Sequence, residues 1–102
     1  MAKYQIIYWR DIPVQVRVSQ GRERLSKLLS PRFQQSVYRA AYRAKAINGQ
    51  AYIEEWRPSE WQIMDGDLEK IASLVITDLE GSYSDKRLDK LARNKGFETN
   101  DS

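Results

Sequence analysis

The chain has 102 residues, 41% hydrophobic and 30% charged, with a net charge of +3, no cysteine and no histidine. That length supports one hydrophobic core and hence one domain. The missing residue types exclude disulfides, thiolate nucleophiles, imidazole acid–base chemistry and zinc sites of the Cys/His kind, and no apolar run approaches the roughly 20 residues of a membrane span.

Residues 4–9 alternate Tyr4, Ile6 and Tyr8 with Gln5, Ile7 and Trp9. Both faces are substantially apolar, which predicts a central strand or one covered on both sides. A chemically dense corner follows, Trp9-Arg10-Asp11-Ile12-Pro13, combining an indole, a guanidinium, a carboxylate and a proline. Beyond it Val14, Val16 and Val18 alternate with Gln15 and Arg17, the pattern of a half-buried strand. Pro13 stands at its first position, where a missing amide donor is tolerated. The short connection predicts an antiparallel hairpin. After the turn at Gln20-Gly21, residues 22–29 fit either a helical turn or a third antiparallel strand, and the turn before them favours the strand.

Ser30 is a natural N-cap and Pro31 fits the first helical position. Phe33, Val37, Ala40 and Ala44 recur at helical spacing as the predicted buried face, and its alanines predict close packing against a sheet. Ile47-Asn48-Gly49 supplies the stop. Residues 51–57 read as a strand, Pro58-Ser59 as a turn, and Trp61 to Met64 as a short returning strand. Asp65 or Asp67 then caps a second helix with the stripe Leu68, Ile71, Ala72, Val75 and Leu79, broken at Gly81-Ser82. Ser84 starts a short third helix with Leu88 and Leu91 inward and Lys86, Arg87, Lys90 and Arg93 outward. The expected domain is 1–95, with 96–102 a disordered tail. The predicted fold is α+β: a small, mainly antiparallel sheet with two principal helices on one face and a short C-terminal helix.

The modest net charge hides a block pattern. Residues 1–51 carry ten Lys/Arg against two acids, a net of +8, whereas residues 52–85 carry two against nine, a net of −7. Residues 86–102 return to +2. Either the blocks neutralise one another, or the cationic half presents an uncompensated face that steers an acidic partner.

Three groups of residues are candidates for function. Arg32, Arg39 and Arg43 project from one side of the first helix, flanked by Tyr38 and Tyr42; such a stripe grips phosphates and stacks on bases, or simply pairs with the acids of residues 54–69. Trp9, Trp56 and Trp61 form either a recognition patch or core anchors. Asp11 accepts amides within its turn, pairs with Arg10, or joins Glu54 and Glu55 as an acid–base or metal site. Glu54 and Glu55 are adjacent on a predicted strand and point to opposite faces, which argues against one site. No glycine-rich phosphate loop, nucleophile elbow or metal-spaced cluster is present, so no catalytic residue, metal or cofactor is assigned.

The run Tyr8-Trp9-Arg10-Asp11-Ile12-Pro13, followed by Gly21-Arg22, Arg32-Phe33, Arg39-Ala40-Ala41, Ala51-Tyr52 and Glu55-Trp56-Arg57, resembles the bacterial conserved virulence factor domain over about residues 5–93. In some relatives the domain is similar to a module fused to helical HEAT-like repeats, which implies a role in protein assemblies. The resemblance supplies no catalytic residue. The expected function is therefore a non-enzymatic, cytoplasmic protein-binding or accessory module that meets an acidic partner without membrane insertion. Its expected contact residues are Trp9, Arg10, Asp11, Arg32, Arg39, Arg43 and Trp61. The alternatives are nucleic-acid binding through the same basic helix face, and an accessory subunit of a metabolic enzyme gripping an anionic small molecule at the Arg10/Asp11 corner.

Overall fold

A computed structural model of the chain describes residues 2–46 and 49–98. The chain runs β1 (Ala2–Trp9), β2 (Ile12–Gln20), β3 (Glu23–Leu28), α1 (Pro31–Arg43), α2 (Gln50–Glu54), β4 (Trp56–Pro58), β5 (Gln62–Met64), α3 (Leu68–Ser82) and α4 (Asp85–Arg93). The sheet is antiparallel with the order β3-β2-β1-β4, and β5 also pairs with β1. This is the α+β architecture expected, with β1 central.

The hairpin turns through Arg10 and Asp11 alone, and Arg10 adopts a left-handed φ of +53°. The register steps from Ile7↔Gln15 to Tyr8↔Pro13, so Val14 is an extra residue in β2. Such a bulge increases the local twist and re-aims the strand next to the corner. Val14 still uses its carbonyl, which accepts from the Leu29 amide at 2.9 Å. Within residues 22–29, Glu23–Leu28 forms the expected third strand, with Val18 opposite Leu25.

Residues 51–57 are not one strand. Gln50–Glu54 is a short helix, and the strand starts only at Trp56. The apolar run Ala51-Tyr52-Ile53 has no polar alternation, so its period does not separate strand from helix. A tertiary contact decides: the helical turn places the Tyr52 carbonyl 3.0 Å from Trp9 Nε1. Nor does the chain reverse at Pro58-Ser59. β4 and β5 both run antiparallel to β1 along the same edge, one opposite Ile7 to Trp9 and the other opposite Ala2 to Tyr4. Between them Ser59 continues the ladder, its amide donating to the Ile6 carbonyl at 2.8 Å and its hydroxyl accepting from the Ile6 amide at 2.9 Å.

Helix α1 stops at Arg43, earlier than Asn48-Gly49, of which Asn48 lies outside the described residues with Ile47. Lys45 takes the left-handed position (φ +58°), and the amides of Ala46 and Lys45 reach back to the carbonyls of Ala41 and Tyr42. That is the Schellman arrangement, here with lysine in place of glycine. Helix α4 ends the same way: Lys95 has φ +62°, and Gly96 and Lys95 bond back to Leu91 and Ala92. Helix α3 is capped by Asp67, not Asp65, through a 2.8 Å bond from the Lys70 amide. It runs on through Gly81 and Ser82. Ser84 caps α4 as expected.

Ile71, Ala72, Val75 and Leu79 of α3 are buried against β1, β2 and β3. Ala40 and Ala41 of α1 are fully buried, but the close approach they permit is mainly to α4, with β2 a lesser neighbour, and Ala44 is half-exposed. One cluster joins these helices to Ile6, Trp9, Ile12, Val16, Val18, Phe33 and Leu91.

Helix α1 has no acid in its first turn, and Ser30 makes no side-chain cap. The carboxylate of Glu80 on α3 serves instead, accepting from the Ser30 amide at 2.7 Å, the Ser30 hydroxyl at 2.9 Å and the Arg32 guanidinium at 3.1 Å. Burial works to raise the Glu80 pKa, but these donors outweigh it and hold the group below its ordinary value. A carboxylate depressed in the fold contributes stability that is complete above its unfolded pKa and lost as pH falls through the folded one. Glu80→Gln should therefore cost about 1 kcal/mol at neutral pH after solvent screening. The difference between the two urea midpoints should close below the carboxylate range; a gap of equal size in acid would contradict this account.

Candidate functional site

The corner is tied into the fold at every polar position but one. Arg10 donates from Nη1 to the Lys95 carbonyl at 2.8 Å and from Nη2 to Glu55 at 3.2 Å. Its guanidinium carbon lies 5.0 Å from the Trp9 ring centre and 4.6 Å from that of Phe97, a doubly stacked cation. Only Nε is buried with no partner among the described residues. Asp11 neither caps its own turn nor pairs with Arg10. It accepts from Arg57 Nη2 at 3.1 Å and from the Glu98 amide at 2.7 Å, while its own amide donates to the Gly96 carbonyl at 2.9 Å. The tail expected to begin at Gly96 thus starts with three residues bonded or stacked onto the corner; residues 99–102 lie outside the described residues.

The remaining candidates fall in separate places. Trp9 is wholly buried and presents no surface to a partner. Trp56 is half-buried and meets Tyr52 edge-on. Trp61 is 40% exposed beside the Lys3 ammonium, which lies 4.8 Å from its ring centre. Arg32 is committed to Glu80 and Asp85. Arg39 pairs with Asp89, whereas Arg43 is exposed and pairs with no acid among the described residues. A single cationic face joining Arg10, Arg32, Arg39, Arg43 and Trp61 therefore does not form. The chain's own acids compensate Arg10, Lys27, Arg32 and Arg39, while Lys3, Arg17, Arg22, Arg24, Arg43 and Lys45 have no ion pair among the described residues.

Two recesses assemble from parts distant in sequence. The first, of about 480 Å³, is lined by Tyr8, Asp11, Arg57, Tyr83 and Glu98, among others. Arg57 lies over the Tyr8 ring at 4.9 Å and Arg87 over the Tyr83 ring at 4.0 Å, and Arg87 pairs with Glu98 at 2.7 Å. Burial raises both tyrosine pKa values, so the hydroxyls stay protonated at neutral pH. The carboxylates of Asp11 and Glu98 are already engaged.

The second recess, of about 650 Å³, lies where α1 packs on α4. Tyr38, Arg39, Tyr42, Arg43 and Lys45 come from α1 and its cap, Ala92 and Arg93 from α4. Tyr38 is 52% and Tyr42 74% exposed. Asp89 sits between Arg39 and Arg93, and bonding from Arg39 first, then the charges of Arg93, Arg39 and Arg43, hold its pKa below the ordinary value. Four cations around the groove thus confront one carboxylate. Sequence reasoning found the Arg39/Arg43 stripe with its flanking tyrosines but not Lys45 or Arg93. Lys45 joins through the left-handed cap of α1 and Arg93 through the helix–helix contact, although the outward basic row of α4 was visible by its spacing.

Among the described residues no three carboxylates converge on a metal-sized site, and no helix is long and apolar enough to cross a membrane. No curated protein and no solved structure matches the chain. The virulence factor family model, however, matches residues 7–92. That span takes in the corner that organises the fold and most of both recesses, leaving out Glu98 of the first and Arg93 of the second, so the chain belongs to the virulence factor family.

Proposed function

We propose that this domain is a cytoplasmic, non-enzymatic binding module that docks an acidic protein surface on the α1–α4 face. The observation that supports it is the excess of cations there: Arg39, Arg43, Lys45 and Arg93 line the groove, only Arg39 and Arg93 are paired, both with Asp89, among the described residues, and Tyr38 and Tyr42 are exposed beside them. Exposed tyrosine and arginine around a recess are the side chains that dominate protein interfaces. The cysteine-free composition suits a reducing compartment. Arg10 and Arg32 hold the fold together in this reading, and the corner is architectural. Two of Arg10's guanidinium nitrogens are already occupied, which leaves little for an anionic small molecule.

The same tyrosines beside arginines also suit base stacking, so nucleic acid is the second reading. Co-purification of tagged protein from its native cells, with and without nuclease, separates the two. A single stoichiometric protein should survive nuclease and be lost with Tyr42→Ala/Arg43→Glu, a pair exposed enough to leave folding intact. Nuclease-sensitive recovery would favour nucleic acid instead, with affinity falling about 10²-fold between 50 and 200 mM salt if four phosphates are contacted.

A further inference from the structure

The two faces of the sheet are treated differently by the fold. Helix α3 covers the face that carries Tyr4, Ile6, Val16, Val18 and Leu25, and Lys27 on that face pairs with Glu69 of α3 at 2.9 Å. The pairing register sets Lys3, Ile7, Gln15, Arg17, Leu28 and Ile63 together on the opposite face. Helix α2 shields only the Trp9 end of it, through the Trp9–Tyr52 contact. The rest is partly apolar and open along its rim, where Leu28 and Ile63 are each 69% exposed and Ile7 and Trp56 half-buried, while Gln5 and Ser19 on the same face are buried. Polar alternation is what a solvated sheet face requires, and β1 lacks it. Ile7, Val14, Leu28 and Trp56, with Gln15 and Gln34 beside them, line a slot of about 330 Å³.

Charge on this face is of one sign. Lys3, Arg17 and Arg24 project from it, β1 and β2 contain no acid, and Glu23 of β3 falls on the helix-covered side by alternation. None of the three cations has an ion pair among the described residues. A second copy of the chain related by a two-fold axis would set these cations against their own counterparts, which disfavours self-association. A planar anionic membrane would meet the charges but leave the slot unfilled. An amphipathic helix satisfies both, with an apolar stripe placing a side chain in the slot and flanking carboxylates meeting Lys3 and Arg17.

We propose that the open sheet face is a second docking surface, specific for an acidic amphipathic helix of a partner protein. It would complete a three-layer helix–sheet–helix arrangement and is independent of the α1–α4 face.

The test uses a fluorescein-labelled synthetic peptide with leucine at i, i+3, i+4 and i+7 positions and glutamate on the flanks. Its controls are a scrambled peptide of equal composition and a lysine-for-glutamate version. Saturable anisotropy binding of the acidic peptide is expected. Lys3→Glu/Arg17→Glu should weaken it about tenfold or more and transfer binding to the lysine peptide, and Ile63→Asp should abolish it, each variant keeping the wild-type circular dichroism. Arg43→Glu should leave it unchanged, so failure here and failure of the α1–α4 reading remain distinct. Equal binding of the scrambled peptide, indifference to Lys3→Glu/Arg17→Glu, or sensitivity to Arg43→Glu would overturn the proposal. So would association with phosphatidylglycerol vesicles in place of the peptide, or a dimer by light scattering that Ile63→Asp dissolves.

Discussion

Trp9→Ala is expected to lower stability by about 3–5 kcal/mol, the range for removing a fully buried tryptophan. The ring is 0% exposed and touches its neighbour Arg10 and two distant parts of the chain. Its indole amide donates to Tyr52, fixing α2; its face receives the Arg10 guanidinium; and Gly96, after α4, lies against its edge. Alanine would leave a large cavity and an unpaired carbonyl together. At about 4–8 °C per kcal/mol for a domain of this size, the melting temperature should fall by something on the order of 20 °C. That would bring a domain of ordinary stability, about 5–15 kcal/mol, close to unfolding. Trp9→Phe separates the contributions: most packing stays while the Tyr52 carbonyl loses its donor, for a cost of about 1–3 kcal/mol. Urea denaturation followed by circular dichroism measures both, and a Trp9→Ala midpoint near the wild-type value would refute this view of the corner.

Gly96→Ala should be the second most damaging change, at about 2–4 kcal/mol, combining backbone strain with overpacking. Gly96 has φ +93°, a region that residues with a Cβ rarely adopt. The added methyl would stand 3.0 Å from Trp9 Cζ3 and 3.2 and 3.3 Å from Arg10 Cδ and Cβ. None of these atoms can yield easily, because the indole is enclosed and Arg10 is held at both terminal guanidinium nitrogens and between two rings. Gly21→Ala is the internal control. Its φ is also positive, +60°, but nothing lies within 4 Å of the new carbon, so only the left-handed strain of about 1–2 kcal/mol applies. Equal midpoints for the two variants would mean that the predicted contact does not exist.

Both expected outcomes bear on the proposed function, because they assign the signature residues a place in the architecture. Trp9, Arg10 and Asp11 join β1, α2, β4 and the end of α4, so their chemistry is spent inside the molecule. The surfaces proposed for partners are the α1–α4 groove, where helix packing concentrates cations, and the open face of the sheet.

Local patterning was enough for much of the architecture. The alternation of Val14, Val16 and Val18, the start of α1 at Pro31, the Ser84 cap, Asp67 as one of two candidate caps and the stripe of α3 appear as expected, because each depends on residues within one or two turns of one another, whereas Ser30 makes no side-chain cap and the distant Glu80 serves in its place. The double apolar face of β1 also announced its central place. What the chain alone left open depended on contacts between distant residues. The apolar run at Ala51 to Ile53 had no period to separate helix from strand until Trp9 claimed the Tyr52 carbonyl. Lysine at the left-handed end of α1 gave no signal resembling Asn48-Gly49, because Lys45 tolerates that conformation only within a cap whose hydrogen bonds are all made. Above all, charge blocks counted along the chain cannot say which cations find acids. Arg10, Arg32 and Arg39 reach theirs across 45 to 53 residues, whereas Arg43 and Arg17 find none among the described residues, and that difference, on which the proposed docking surfaces rest, exists only once the helices and strands are packed.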